Sequence, residues 1–192
     1  RNSYKILQVL NIIGFLIMIV VNFLANYLPI NGITTGEVAR LYPNLFTPAA
    51  FTFSIWGLIY LLLGIFVVYQ ALGILKRDVN QLDYVKRIGY LFFTSSLLNA
   101  AWIIAWHYLQ TVLSLVIMVL LLINLIVLYN RLNSADRNND GRGSLITRIA
   151  FSIYLGWITI ATVANVTTVL VDLGWDGFGL SDAFWMIVVI FV

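Results

Sequence analysis

The chain has 192 residues, of which 61% are hydrophobic and 10% are charged, and its mean hydropathy is +0.95. A soluble domain has about 25% charged residues, so this chain cannot cover its surface with polar groups, and we expect lipid to be its main solvent. The sequence has no cysteine, which excludes disulfides, thiolate metal sites and cysteine nucleophiles. The formal net charge of +3 is too small and too dispersed to indicate a nucleic-acid partner.

Five segments are long and apolar enough to cross a bilayer, which takes about 20 mostly apolar residues. They are residues 6–28, 49–71, 88–109, 112–129 and 146–170. A sixth apolar run begins near Ala183, and up to Val192 it would reach only about 15 Å as a helix, so we expect the sequence to stop inside a sixth span. The sequence therefore predicts an all-α integral membrane protein. Residues 1–170 form a five-helix domain, and residues 171–192 form a loop and the start of a sixth helix.

Basic residues are distributed unevenly around these spans. Ten of the eleven Lys and Arg lie before the first span, between the second and third, or around the connection from the fourth to the fifth. Only Arg40 lies in the alternate set of connections. This asymmetry predicts a cytoplasmic N-terminus, and we expect the protein to reside in a bacterial cytoplasmic membrane.

The first span carries a polar stripe. Asn11 and Asn22 are eleven residues apart, which places them at nearly the same angle on a helix, and Asn26 lies one turn beyond Asn22. Such a stripe should face other helices. One explanation of the stripe is hydrogen bonding between helices. The alternative is contact with a ligand, for which Asn22 is the candidate.

The second span begins with FTPAAFTFSIWGLIYLLLG at residues 46–64. Thr47 and Pro48 have the chemistry of a helix N-cap and first position. Beyond them one helical face carries Phe53, Trp56, Tyr60 and Gly64, which follow the spacing i, i+3, i+7 and i+11. This face predicts an aromatic stripe that ends in a gap at the glycine. We expect Tyr60 near the middle of the membrane, where its hydroxyl needs a partner.

The third and fifth spans each carry tryptophan and asparagine on one face. In the third span the spacing i, i+3, i+7 joins Asn99, Trp102 and Trp106, and in the fifth the spacing i, i+4, i+8 joins Trp157, Ala161 and Asn165. Packing alone explains one such face. Because three spans share the pattern, we predict a common internal pocket for a hydrophobic small molecule.

The remaining features support weaker predictions. The fourth span has only Ser114 and Asn124 as polar residues, so it is expected to face lipid over much of its surface. Ala101 and Ala105 form a small-xxx-small pair, which is a candidate homodimer seam. His107 lies at the outer end of the third span, where we expect a solvated or capping residue rather than a haem ligand.

Three motifs support a resemblance to a known family. The second span has Pro48, Phe51, Trp56, Tyr60 and Gly64 at a characteristic spacing. The third has Leu98-Asn99-Ala100-Ala101-Trp102, and the fifth has Tyr154-Leu155-Gly156-Trp157 with Asn165 eight residues later. In this order the motifs resemble those of the TspO/MBR family, the translocator proteins and tryptophan-rich sensory proteins, over residues 6–170. Ala100 replaces a frequent Trp and the sixth segment is extra, so the chain resembles a divergent, longer branch.

The resemblance implies a five-helix bundle, often dimeric, that binds flat hydrophobic ligands such as porphyrins under the loop between helices one and two. By position, the implied pocket residues are Trp56, Trp157, Ala161 and Asn165, with Ala49, Ala50 and Phe51 at the mouth. Asn99 and Trp102 are implied to brace the third helix against the pocket.

The function predicted from these observations is a membrane receptor, sensor or carrier. Its ligand is a planar hydrophobic molecule such as a porphyrin, and no metal or cofactor is required. A tryptophan-dependent porphyrin-degrading enzyme is one alternative, although the chain has no catalytic dyad. A small-molecule transporter is the other. Because no Asp, Glu, Lys or Arg falls well inside a span, ion coupling is disfavoured for it.

Overall fold

The computed structural model describes residues 2–46, 50–76, 83–134 and 142–191. Within these ranges the chain forms helices and turns and no strand. The α-helices are α1 (Asn2–Tyr27), α2 (Thr35–Arg40), α3 (Ile55–Lys76), α4 (Asp83–Ile88), α5 (Leu91–His107), α6 (Thr111–Asn133), α7 (Arg142–Asp172) and α8 (Asp182–Phe191). Short 3₁₀ turns occupy Ile30–Gly32, Ala50–Ser54 and Gly177–Gly179.

The predicted membrane bundle is confirmed. The helices α1, α3, α6 and α7 are long and apolar enough to cross a membrane. The helix α5 is apolar but has only 17 residues. These five helices correspond to the five predicted spans, and α8 corresponds to the start of the sixth.

Two helix starts differ from the prediction. The second span was expected to begin at Ala49 after Thr47 and Pro48, three residues that lie outside the described ranges. The chain forms a 3₁₀ turn at Ala50–Ser54, and α3 begins only at Ile55. The third span was expected from Ile88, but Gly89 has a φ of +55°, which ends α4 there, and α5 begins at Leu91.

The five long helices form a closed ring in which α1 packs on α5, α5 on α6, α6 on α7, α7 on α3, and α3 on α1. The rings of Phe66, Phe92 and Phe151 meet edge to face inside it, with centroids 5.1 to 5.6 Å apart. All three side chains are fully buried. Because lipid is as apolar as these side chains, close packing rather than exclusion of water holds this part of the bundle together.

The helix α6 has one exposed and one buried side. Leu113, Val116 and Ile123 are exposed, whereas Leu121 and Leu125 are fully buried. Their burial follows from the position of α6, which packs against both α5 and α7. This agrees with the expectation that the helix faces lipid over much of its surface.

Polar side chains link the helices inside the ring. Asn11 Nδ2 donates to Gln70 Oε1 at 3.0 Å, which joins α1 to α3. Asn22 Nδ2 donates to Asn99 Oδ1 at 2.8 Å, which joins α1 to α5. Asn26 differs, because it is exposed and donates to the carbonyl of Asn22 on its own helix. Two of the three predicted stripe residues therefore face other helices.

Candidate functional site

The aromatic faces of α3, α5 and α7 meet inside the bundle at Trp56. Its ring stacks on Tyr60 at 5.5 Å between centroids and lies 6.3 Å from Trp102. The rings of Tyr154 and Trp157 approach it edge-on, each at 6.1 Å. Trp56 and Trp157 are buried, with 9% and 7% of their surface exposed. The predicted pattern thus brings side chains from three helices into one aromatic cluster.

A cavity of about 40 Å³ lies beside this cluster and is called the inner cavity here. Most of its wall belongs to α5 and α7, and α2 and the residues that follow it cover one side. The lining residues are Ala39, Asn44, Phe53, Trp56, Trp102, Trp106, Trp157, Ala161, Ala164, Asn165 and Thr168. Five of the predicted site residues are among them: Trp56, Trp102, Trp157, Ala161 and Asn165.

The polar groups of the inner cavity are held in defined positions, with one exception. Trp102 Nε1 donates to Asn165 Oδ1 at 2.9 Å, and Asn165 Nδ2 donates to Ser114 Oγ at 3.0 Å. Trp106 Nε1 donates to the carbonyl of Thr35 at 3.1 Å. The exception is Trp157, whose Nε1 is buried and has no hydrogen-bond partner. Among the described residues that line the cavity, Trp157 is therefore the one whose buried indole donor is unpaired.

A larger cavity of about 300 Å³, here called the lateral cavity, lies between α1 and α3. Its residues are Ile19, Asn22, Phe23, Asn26, Thr35, Phe53, Trp56, Tyr60 and Ile103. The Tyr60 hydroxyl is buried here without a hydrogen-bond partner. Phe53 and Trp56 line both cavities and so form the partition between them. The sequence predicted one pocket, but Tyr60 and Asn22 line the lateral cavity, whereas the inner cavity is lined by Trp102, Trp157, Ala161 and Asn165.

Asn99 lines neither cavity. It accepts the hydrogen bond from Asn22 and donates through Nδ2 to the Tyr154 hydroxyl at 3.1 Å. Its amide thereby connects α1, α5 and α7. The gap expected at Gly64 is filled, because a Cβ added there would lie 3.3 Å from Cζ of Phe15 on α1. Both residues serve packing between helices.

The segment that follows α1 is held against α5 by His107, for which the sequence predicted a solvated or capping role. His107 is fully buried. Its Nδ1 lies 3.1 Å from the carbonyl of Ile30 and its Nε2 lies 3.0 Å from Oγ1 of Thr35. A carbonyl can only accept, so Nδ1 carries a proton, and in the neutral ring Nε2 then accepts from the threonine. The prediction of a solvated residue is wrong because α2 and the preceding turn fold over the end of α5.

The start of α2 has its own stabilising contacts. Thr34 and Glu37 form a capping box, in which the Glu37 carboxylate accepts from the backbone N–H of Thr34 at 2.8 Å. This backbone hydrogen bond and a second one from the Thr34 hydroxyl lower the pKa of Glu37. The carboxylate therefore stays ionised and keeps the first turn of α2 formed at neutral pH.

Some predicted residues are not placed by the structure. Ala49 lies outside the described residues, and of Ala50 and Phe51 only the backbone is described, in a 3₁₀ turn. The two residues of the candidate dimer seam differ in exposure, since Ala101 is exposed while Ala105 is buried within the bundle. Within the described ranges, no group of three or more His, Asp or Glu could hold a metal ion.

A family model described as TSPO-like protein matches residues 8–192. The chain belongs to this TSPO-like family. The match confirms the resemblance found in the sequence and extends it beyond residue 170, so α8 is part of the TSPO-like region rather than an addition to it. No curated protein and no solved structure matches the chain. Membership of the TSPO-like family supports a membrane-embedded binding or sensing protein.

Proposed function

We propose that this protein is a membrane receptor, sensor or carrier that binds a planar hydrophobic ligand of the porphyrin class inside the bundle. The observation that carries the proposal is that Trp157 lines the inner cavity and that its buried N–H has no hydrogen-bond partner. A buried donor without a partner costs about 1–3 kcal/mol. A ligand carboxylate or carbonyl that accepts from Trp157 would remove this cost.

The chemistry of the inner cavity suits a flat aromatic ligand. Four indoles provide apolar faces, and Ala161 and Ala164 leave space along α7. Small-molecule pockets are typically apolar with a few fixed polar groups that orient the ligand. Here the Asn165 amide is fixed by Trp102 and Ser114, and Trp157 keeps its donor free.

The size of the inner cavity requires movement before a macrocycle can bind. Its volume of about 40 Å³ is far below the roughly 300–1,000 Å³ of small-molecule pockets. Displacement of Phe53 and Trp56 would join it to the lateral cavity of about 300 Å³ and would expose the Tyr60 hydroxyl to the same ligand. We propose that binding follows this route, with α2 acting as the movable cover.

A titration of protoporphyrin into the detergent-solubilised protein, followed by the shift of the porphyrin absorption band, tests the proposal. Trp157→Phe removes the free donor and keeps an aromatic ring, so it should weaken binding about tenfold, equivalent to ~1.4 kcal/mol. Ala161→Leu should weaken binding by filling the cavity. Trp175→Phe is the matched control, because Trp175 lines neither cavity. Unchanged affinity in both test variants would refute the assignment.

The porphyrin-degrading alternative is favoured by one observation. Four indoles form a continuous series, with centroid distances of 6.1 Å for Trp157–Trp56, 6.3 Å for Trp56–Trp102 and 5.7 Å for Trp102–Trp106. Illumination of the complex in air separates the two functions. A stable absorption band supports a receptor, and a band that decays in the wild type but not in Trp56→Phe supports breakdown.

Transport without ion coupling is tested with liposomes. Among the described residues, none that lines the inner or the lateral cavity is charged. Flux of a labelled porphyrin that does not respond to an ion gradient would support a carrier, and binding without flux would support a receptor.

A further inference from the structure

A third cavity lies at the end of the bundle where α7 ends and α8 begins, and it belongs to neither site described above. Its volume is about 200 Å³. Three separate segments form its walls: the last turns of α7, residues 44–46, and the part of the chain from Trp175 to Val189. Of its lining residues only Asn44 also lines the inner cavity. It is called the end cavity here.

The end cavity combines two indoles with two carboxylates. Trp175 and Trp185 lie on its wall with ring centroids 5.0 Å apart and an interplanar angle of 56°. Asp176 and Asp182 are exposed residues of its lining, and in the part of the chain that the structure describes no Lys or Arg lines it. The faces of indole rings attract cations, and a cation within about 6 Å of a ring is stabilised more strongly when it is also desolvated.

The aromatic wall is held rigidly by a glycine-rich turn. Trp185 Nε1 donates to the carbonyl of Gly177 at 2.9 Å. Gly177 has a φ of +65°, and a Cβ on it would lie 3.2 Å from that same nitrogen. The side chain of Asp176 accepts from the backbone N–H of Phe178 at 3.0 Å, which fixes one carboxylate beside the rings. The turn therefore positions both an indole and an acid.

Asp182 supplies a second carboxylate. It is the first residue of α8 and also lines the cavity. Most of the remaining lining is apolar and includes Leu170, Met186 and Val189. The lining of the cavity thus combines apolar side chains, two indoles and two carboxylates.

We propose that the end cavity is a binding site for an organic cation, a quaternary ammonium or protonated amine that carries a small apolar group. The apolar group contacts Leu170, Met186 and Val189, and the cationic group lies between the indoles and the two carboxylates. The same chemistry is found in free organic cations and in choline lipid headgroups. This site is independent of the porphyrin site, and either can fail without the other.

The test is a fluorine NMR titration of the full chain, labelled with 5-fluorotryptophan, in a detergent without choline. The two probes are benzyltrimethylammonium and its neutral isostere neopentylbenzene. The fluorine signals of Trp175 and Trp185 are assigned with Trp175→Phe and Trp185→Phe. The cation should shift these two signals saturably and leave those of Trp56 and Trp157 unchanged, and the isostere should shift neither. Equal shifts with the isostere, or no shift with the cation, would overturn the proposal.

Charge variants provide the second measurement. Asp176→Asn with Asp182→Asn should weaken binding about tenfold, because asparagine can still accept from Phe178 but carries no charge. Glu37→Gln, which removes one charge at an acid that does not line the cavity, should bind like the wild type. Binding to the wild type should also weaken as salt is raised. Equal affinity in the double variant and Glu37→Gln, or no salt dependence, would refute the site.

Nanodiscs identify the source of the cation. If choline headgroups occupy the end cavity, phosphatidylcholine discs should weaken the apparent affinity for benzyltrimethylammonium relative to phosphatidylglycerol discs after correction for surface charge. Equal affinity in the two discs assigns the site to a free cation.

Discussion

The indole N–H of Trp102 donates to Oδ1 of Asn165 at 2.9 Å and so joins α5 to α7 inside the bundle. The amide of Asn165 also donates to Ser114 on α6 at 3.0 Å. One asparagine side chain therefore connects three helices, and it does so on the wall of the inner cavity. The shape of the proposed ligand site and the stability of the bundle depend on the same hydrogen bonds.

Trp102→Phe should destabilise the protein by about 1–2 kcal/mol. The substitution keeps an aromatic ring but leaves Asn165 Oδ1 without its main donor in a buried site, where an unmet acceptor is costly. The free energy of unfolding in detergent, measured by denaturant titration, checks this value. A double-mutant cycle with Asn165→Ala isolates the pair, and strictly additive effects would show that the bond contributes nothing.

Gln70→Leu should destabilise the protein by about 1–3 kcal/mol, and Asn11→Leu combined with it should restore most of the loss. In the single variant the amide of Asn11 loses its partner at 3.0 Å, and its Oδ1 already lacks one. The double variant replaces both buried amides by apolar groups, which is close to neutral. The side chain of Gln8 keeps its hydrogen bond in both variants, because it donates to the backbone carbonyl of residue 70, which the substitutions do not remove. A double variant less stable than Gln70→Leu would contradict this account.

The arrangement of the membrane spans was predictable because hydropathy and length are properties of each segment alone. The residues at which the helices start were less predictable from the sequence. The φ of +55° at Gly89 and the 3₁₀ turn before Ile55 depend on how the chain meets neighbouring helices. Periodicity likewise identified the faces of α3, α5 and α7 that carry tryptophan, and these faces do meet at Trp56.

The partners across helices could not be predicted from the sequence. Periodicity within a helix gives the angle of Asn11 but not the height at which another helix presents Gln70 to it. For the same reason Tyr60 and Trp157 were assigned to one pocket, although Trp56 separates their cavities. The burial of His107 had no signal in the sequence, since it follows from the fold of the α1–α2 connection over α5.

Gly14→Ala should destabilise the bundle by about 1–3 kcal/mol, whereas Gly57→Ala should be neutral or slightly stabilising. A Cβ at Gly14 would lie 2.9 Å from Cδ2 of Phe93 and 3.2 Å from Cβ of Ser96, so α1 and α5 would have to separate. A Cβ at Gly57 meets no atom within 4 Å, and alanine favours the helix. Thermal unfolding of the two variants side by side checks the prediction. Equal midpoints would show that the close contact of α1 with α5 is absent in detergent.

Thr35→Val should loosen α2 without unfolding the bundle. The substitution keeps the shape of the side chain but removes the hydroxyl that His107 Nε2 accepts from at 3.0 Å. The lost bond, worth about 0.5–1.5 kcal/mol, should raise the exchange rate of the α2 backbone amides by about 2- to 12-fold in hydrogen–deuterium exchange. Thr159→Val is the control, because its hydroxyl is exposed and bonds only to the carbonyl of Leu155 on the same helix.

The same variant tests whether α2 covers the proposed ligand site. Ala39 of α2 lines the inner cavity, and the Thr35 carbonyl accepts from Trp106 Nε1 on its wall. If α2 must move for a porphyrin to enter or leave, Thr35→Val should speed porphyrin dissociation in stopped-flow absorbance, and Thr159→Val should not. Faster amide exchange with an unchanged dissociation rate would show that the ligand enters and leaves without movement of α2.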